Sequence, residues 1–222
     1  YRAGVNYKLV GGVRFYDRAE IKDIISYIRV ITNHHDDFSF KRIINKPKRG
    51  IGNASIEKLE ANAHAASLSM FEYIKTASDA SLEELLKKKN SQSAKKFVAD
   101  IEDVARVAND SSYEFVDVLE KTFELKSIYA NTPDESERIL NIDEFYALFR
   151  EFVKNSPMAS LDEFLNELTL QSDQDEVEGE SIYMMSIHAS KGLEFDHVFL
   201  IGLEEGFLPL VGDGSDLEEE RR

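Results

Sequence analysis

The chain has 222 residues, 42% of them apolar, which is enough for one large domain or two small ones with a real core. It has no cysteine, so disulfides and thiolate metal sites are excluded. Its net charge of −15 argues against a protein that coats nucleic acid, since phosphate binding needs cations to displace counterions.

The first residues, YRAGVNYKLVGG, hold no apolar signal-peptide core, and no run of about 18 apolar residues offers a membrane span. The chain begins without Met and reads as a piece of a longer, cytoplasmic protein with no membrane partner. Histidines 34, 35, 64, 188 and 197 have no metal-ligand spacing, so no metal site is expected.

In chain order, YKLV (7–10) predicts a short strand ended by Gly11-Gly12. Asp17-x-x-Glu20 has the form of a capping box, opening a helix with Ile21, Ile24, Ile25, Ile28 and Ile31 at helical spacing. A second short helix turns Phe40, Ile43 and Ile44 inward and stops at Pro47. After Gly50-Ile51-Gly52 a helix starts near Asn53 or Ser55, with Ile56, Leu59 and Ala63 inward, and Leu68, Phe71 and Ile74 continue the pattern. Ser81-x-x-Glu84 is expected to cap another helix. Glu83, Glu84 and Lys87 to Lys89 read as a solvated helix face.

Helical spacing recurs over 93–108 (Phe97, Val98, Ile101, Val104, Ala105) and 112–125 (Phe115, Val118, Leu119). After a turn at 132–136 it recurs over 137–154 (Ile139, Ile142, Tyr146, Phe149, Val153). Ser160-x-x-Glu163 caps a last helix with Leu161, Phe164, Leu165 and Leu168. The acidic stretch 171–180 reads as a solvated linker. Beyond it IYMMSIH and HVFLIGL are apolar runs of strand length, which suggest a buried parallel sheet whose partners lie elsewhere unless YKLV joins them. The expected fold class is mainly α: a helical insertion domain over 17–180, flanked at 1–16 and 181–222 by short α/β pieces. No internal repeat is present.

Two segments carry chemistry. Residues 41–58 hold Lys41, Arg42, Lys46, Lys48, Arg49 and Lys58 against the single acid Glu57, a local balance of +5. Within them KPKRGIGNAS sets two glycines between helices. That turn and the helix start behind it direct free N–H groups outward, which suits a phosphate oxygen, with Lys46, Lys48 and Arg49 supplying charge. The same residues also suit a plain helix–helix turn with solvated lysines. In SIHASKGLEFDHVFLIG, Lys191 is a mobile cation able to approach phosphate, Gly192 permits close backbone approach and Glu194 can accept from a ribose hydroxyl. An ordinary strand–turn–strand is the other reading.

SIHASKGLEFDHVFLIGLEEGFLP (186–209) resembles motif V of the UvrD/PcrA/Rep superfamily 1 DNA helicases, with Ser186 where the family usually has Thr. VGGVRFYDRAEIKDIISYIRVI, KPKRGIG and RILNIDEFYALFREF resemble the entry to the family's helical 2B insertion, its duplex-binding turn and a further signature of that insertion. LEEERR resembles the start of motif VI. The resemblance implies that the flanks belong to a RecA-like (2A) parallel-sheet domain. It implies a parent that is an ATP-dependent 3′–5′ DNA helicase using ATP and Mg²⁺. It implies that Gly50, Ile51 and Gly52 touch duplex phosphates, that His188 lies near single-stranded DNA, and that Lys191, Gly192 and Glu194 face the nucleotide.

Arg14, Asp17 and Arg18 receive no role, Asp17 reading as a helix cap, and Glu204-Glu205 reads as structural. No Walker A loop, Walker B acid or motif VI arginine occurs in these 222 residues, so this stretch alone is expected to hydrolyse nothing and to hold no cofactor by itself. The expected partners are DNA at a duplex–single-strand junction and a repair or replication protein. The alternative is a non-enzymatic helical module for DNA binding, or for protein interaction and regulation.

Overall fold

The computed structural model describes residues 7–10, 14–110, 113–174 and 181–203. The chain is mainly α-helical. Strand β1 (Tyr7–Val10) is followed by a 3-10 turn (Phe15–Asp17) and helices α1 (Ala19–Thr32), α2 (Asp37–Ile43), α3 (Asn53–Ala65), α4 (Met70–Thr76), α5 (Asp79–Leu86), α6 (Lys88–Asp110) and α7 (Phe115–Phe123). A second 3-10 turn (Leu125–Tyr129), α8 (Glu135–Asn155), α9 (Leu161–Gln174) and strand β2 (Ile182–Met185) complete the order.

Helix α1 is the axis of the fold, packing on α2, α6, α8 and α9. It therefore buries residues all round, from Ile21, Ile24, Tyr27, Ile28 and Ile31 to the polar Glu20, Asp23 and Ser26. Aromatic rings tie the layers together. Phe97 of α6 packs near Tyr27, Phe40 and Phe123, and Phe164 of α9 meets Phe145, Phe149 and Phe152 of α8. The helical spacings of 93–108, 112–125 and 137–154 correspond to α6, α7 and α8. Ile139 and Val118 are only half-buried, and Leu68 is exposed because α3 ends at Ala65 and Ser67 turns the chain with φ 55°.

Of the three expected helix caps, one forms as read. Ser160 Oγ accepts from Glu163 N at 3.2 Å, and Ser160 N donates to the Glu163 carboxylate at 2.7 Å. Asp17 does not cap α1. Its carboxylate pairs with Lys22 Nζ at 2.7 Å, which holds the acid below its ordinary pKa, while Glu20 turns inward to Arg138 and Asn141. Ser81 is not a cap either. Ser78 is, accepting from Ser81 N at 3.2 Å, because α5 begins at Asp79.

Strands β1 and β2 pair in parallel, Tyr7 opposite Ile182 and Val10 opposite Met185. YKLV thus supplies the partner that IYMM needs. The expected burial does not follow: Ile182, Tyr183 and Met184 are 57%, 51% and 44% exposed. HVFLIGL forms no strand over residues 197–203, with Phe199 89% and Ile201 81% exposed. A strand forms only where a neighbour accepts its ladder, and among the described residues the sheet has two strands, too few for a RecA-like sheet to be evident. Residues 204–209 of the motif, Glu204-Glu205 among them, and LEEERR lie outside the described residues, as does most of the acidic stretch 171–180.

His34 stacks on Phe71 with ring centroids 3.9 Å apart, and its Nε2 is buried with no hydrogen-bond partner. Burial holds its pKa below the ordinary 6.5, against the pull of Glu72. The neutral ring is the one that fits, so the unfolded chain takes up the proton first. Stability is expected to be full above about 6.5 and to fall as the pH drops below it, levelling off beneath the depressed folded value. Urea melts between pH 7 and 5 should show less of this loss in His34→Phe; an unchanged profile would remove His34 as its source.

Candidate nucleic-acid interface and nucleotide turn

The segment between α2 and α3 is held from beneath. Asn45 Oδ1 accepts from Arg49 N at 2.7 Å and Ile51 N at 3.2 Å. Arg49 points into the protein. Its Nη1 donates to the carbonyls of Ile43, Ile44, Lys46 and Pro47 at 3.0, 3.1, 3.0 and 3.3 Å. Its Nη2 donates to Tyr27 Oη at 3.0 Å, and the guanidinium lies 4.2 Å from the centre of the Phe97 ring. The cation thus gathers the carbonyls at and just beyond the end of α2, over an aromatic face. Tyr27 in turn donates to the Lys46 carbonyl. Burial pushes its pKa up to about 12, despite Arg49, so it stays a donor.

Lys46 is also committed. Its Nζ lies 2.9 and 2.8 Å from the two carboxylate oxygens of Asp23, whose side chain is only 2% exposed. Arg42 Nε reaches the same carboxylate at 2.6 Å and Tyr129 Oη at 2.6 Å. Lys41 pairs with Glu60 at 2.7 Å. Four of the six basic residues of 41–58 are therefore occupied inside the fold. Lys48 and Lys58 are exposed.

The two glycines of the turn differ. Gly50 has φ +77°, and a Cβ there would stand 2.7 Å from Asn90 Oδ1, while Asn90 Nδ2 donates to the Gly50 carbonyl at 2.7 Å. A side chain at Gly50 meets both a left-handed backbone and a brace from α6. Gly50→Ala should accordingly cost about 1–2 kcal/mol in a denaturant melt, a loss of fold that any loss of binding would follow. Ile51 is fully buried and anchors the turn. Gly52 has an ordinary φ of −82° and open space where a Cβ would stand. Neither conformation nor packing requires glycine there. Gly52 is the N-cap of α3, exposed together with Asn53 and Ala54, and among the described residues the N–H groups of these three find no acceptor. What remains outside is a run of exposed backbone N–H groups, chemistry that suits an anion, with exposed Lys48 on the same loop.

The second segment follows β2. Ser186 Oγ accepts from Ala189 N at 3.2 Å, the Ser186 carbonyl accepts from Ser190 N at 3.1 Å, and Leu193 N donates to the Ser190 carbonyl at 2.9 Å. This compact turn carries His188, Lys191 and Glu194 exposed, and Gly192 has φ +83° with nothing within 4 Å of where a Cβ would stand. A cation, an acceptor and a bare backbone together suit a nucleotide. Among the described residues no cluster of three His, Asp or Glu suits a metal ion, and no helix is long and apolar enough to cross a membrane.

Sequence reasoning passes over Asp23, Tyr27, Asn45 and Asn90. Asp23 does carry a signal, an acid inside an apolar stripe. The two asparagines carry none, because their partners are set by contacts that no local pattern records.

The family model of the UvrD-like helicase C-terminal domain matches residues 1–222. The ATP-dependent DNA helicase PcrA of Staphylococcus epidermidis is 37% identical over 237 residues, covering 100% of this chain and 31% of that protein. PcrA of Staphylococcus aureus is also 37% identical, and PcrA of Bacillus subtilis 38% over 235 residues, each with the same coverage. The chain spans about a third of the length of these relatives (31%). With the model match over its whole length, the chain belongs to the UvrD-like helicase C-terminal domain family.

Proposed function

We propose that this chain is the part of an ATP-dependent 3′–5′ DNA helicase that grips duplex DNA through the Gly50–Ile51–Gly52 turn and lends one wall to the nucleotide cleft. The carrying observation is Gly52. Its glycine answers no need that the described fold shows, and the N–H groups of the exposed Gly52, Asn53 and Ala54 have no acceptor among the described residues. Such a run of N–H groups holds a phosphate oxygen without reading bases, so the grip is independent of sequence. Lys48 adds the mobile charge. Lys46 and Arg49 act indirectly, by fixing the shape of the turn.

Residues 17–180 form the insertion, and 1–16 and 181–222 belong to one RecA-like sheet. Two observations support this. The strands flanking the helical body pair with each other in parallel, and Ile182, Tyr183, Phe199 and Ile201 expose apolar surface that a larger sheet would cover. In the nucleotide cleft Lys191 would approach phosphate, Gly192 would admit it closely and Glu194 would accept from the ribose, with His188 beside single-stranded DNA. ATP with Mg²⁺, when bound to the whole enzyme, would supply the free energy for unwinding through phosphoryl transfer. The part of these residues is to bind and orient.

The testing experiment is binding of the full-length protein to a duplex–single-strand junction over a salt series, wild type against Gly52→Asp. Loss of duplex affinity is expected. Equal affinity in a folded variant would remove the reading.

A further inference from the structure

We propose that Lys87, Lys88 and Lys89 form a second phosphate-binding contact, continuous with the Gly50–Gly52 turn and belonging to the same duplex-DNA surface. The inference rests on the duplex reading of that turn and extends it to residues about 40 positions away. By sequence the run is a solvated helix face. The fold gives it a location: Asn90, directly after the lysines, donates from Nδ2 to the Gly50 carbonyl at 2.7 Å. Lys87 is the one residue between α5 and α6, so the run occupies the corner of a tight helix–helix turn beside Gly50.

All three lysines are exposed, and among the described residues none makes an ion pair or a side-chain hydrogen bond. Glu83 and Glu84 precede them by one turn without pairing to them. Exposed Lys48 on the neighbouring loop is likewise without a partner among the described residues. Four exposed cations without partners among the described residues thus lie on the two segments that the Asn90–Gly50 hydrogen bond joins, in a chain with net charge −15. Lys87 is the C-cap of α5, where a cation suits the helix dipole, but Lys88 and Lys89 open α6. Positive charge at the first turn of a helix opposes the macrodipole, and α6 carries no acid there to offset it. A polyanion lying across the turn is the chemistry that the patch fits. A duplex already gripped at Gly52 presents further phosphates every few ångströms along each strand.

The test uses the full-length protein and a labelled blunt duplex, with a single strand of equal length as control. Replacing all three lysines by Ala should weaken duplex binding and reduce the slope of log K against log salt by about 1–3, since each phosphate that a lysine neutralises adds about 0.9 to that slope. Lys→Arg at the same three positions should keep the slope, and single-strand affinity should not change. Lys88→Glu with Lys89→Glu should weaken duplex binding further. It places acids where the dipole of α6 favours them, and a thermal melt of the same sample separates lost binding from lost fold. Wild-type slope and affinity in the Ala and Glu variants, with Gly52→Asp impaired, would overturn the lysine contact and leave the turn standing. Wild-type duplex binding in all of them would overturn both.

Discussion

Gly52→Asp is expected to remove duplex binding from a protein that is as stable as the wild type or slightly more so. The two effects have separate causes. Gly52 caps α3 with φ −82° and ψ 171°, a backbone that any residue adopts, and a Cβ there meets nothing within 4 Å. Asp is among the best caps, a few tenths of a kcal/mol better than Gly, and its charge at a helix N-terminus adds about 0.3–1 kcal/mol. The same carboxylate would occupy the place that the proposed duplex grip assigns to a phosphate. Two unit charges about 4 Å apart repel by about 1 kcal/mol in bulk water and about 4 kcal/mol at an effective dielectric near 20. The expected loss in affinity runs from about fivefold to several hundredfold. Anisotropy of a labelled duplex, with a thermal melt of the same sample, reads both effects. A lowered melting temperature would show that Gly52 is needed by the fold after all.

The largest expected loss of stability belongs to Asp23. Its carboxylate, 2% exposed, holds Arg42, Lys46 and Tyr129 at 2.6 to 2.9 Å, and so joins α1 to α2, to the glycine turn and to the 3-10 turn before α8. Asp23→Ala leaves two cations and a hydroxyl facing a void lined by protein. Removing one member of a buried, hydrogen-bonded charge cluster costs about 3–5 kcal/mol. Asp23→Asn keeps the volume and an acceptor oxygen but not the charge, and should fall between Ala and wild type. Urea unfolding monitored by circular dichroism gives the midpoints. A shift worth under about 1 kcal/mol for Ala would mean that water replaces the carboxylate and the cluster is a surface one. Because Lys46 leaves this cluster for the turn, the Ala variant should also loosen that turn and bind duplex less well at temperatures where it remains folded.

Asp23 also marks the limit of what local pattern reveals. The stripe Ile21, Ile24, Ile28 and Ile31 is legible because helical spacing depends on residues within one or two turns. The Ser160–Glu163 box is legible for the same reason, since both partners lie in one turn. Ser81 misleads because Ser78, three residues earlier, makes the cap, and both have the right chemistry. HVFLIGL misleads because a strand is a property of a pair, and its pairing partner is not within reach of local pattern.

The candidate site divides along the same line. The sequence by itself determined that a glycine turn joins two helices inside a basic stretch, that a helical body lies between two short strands, and that the chain resembles a helicase family. Those are facts of residue type and spacing. Only the tertiary structure decided what the stretch presents. Arg42 and Lys46 turn to Asp23, Arg49 turns to the carbonyls at the end of α2, and Lys41 turns to Glu60. Asn90 brings Lys87, Lys88 and Lys89 to Gly50 from about 40 positions away. A count of charges over 41–58 registers composition. The field outside the molecule depends on which charges are already paired, and the pairs are set by contacts distant in sequence. Gly52 illustrates the division in one residue: the sequence shows a glycine, and only the ordinary φ and the empty space where a Cβ would stand show that nothing within the described fold asks for one.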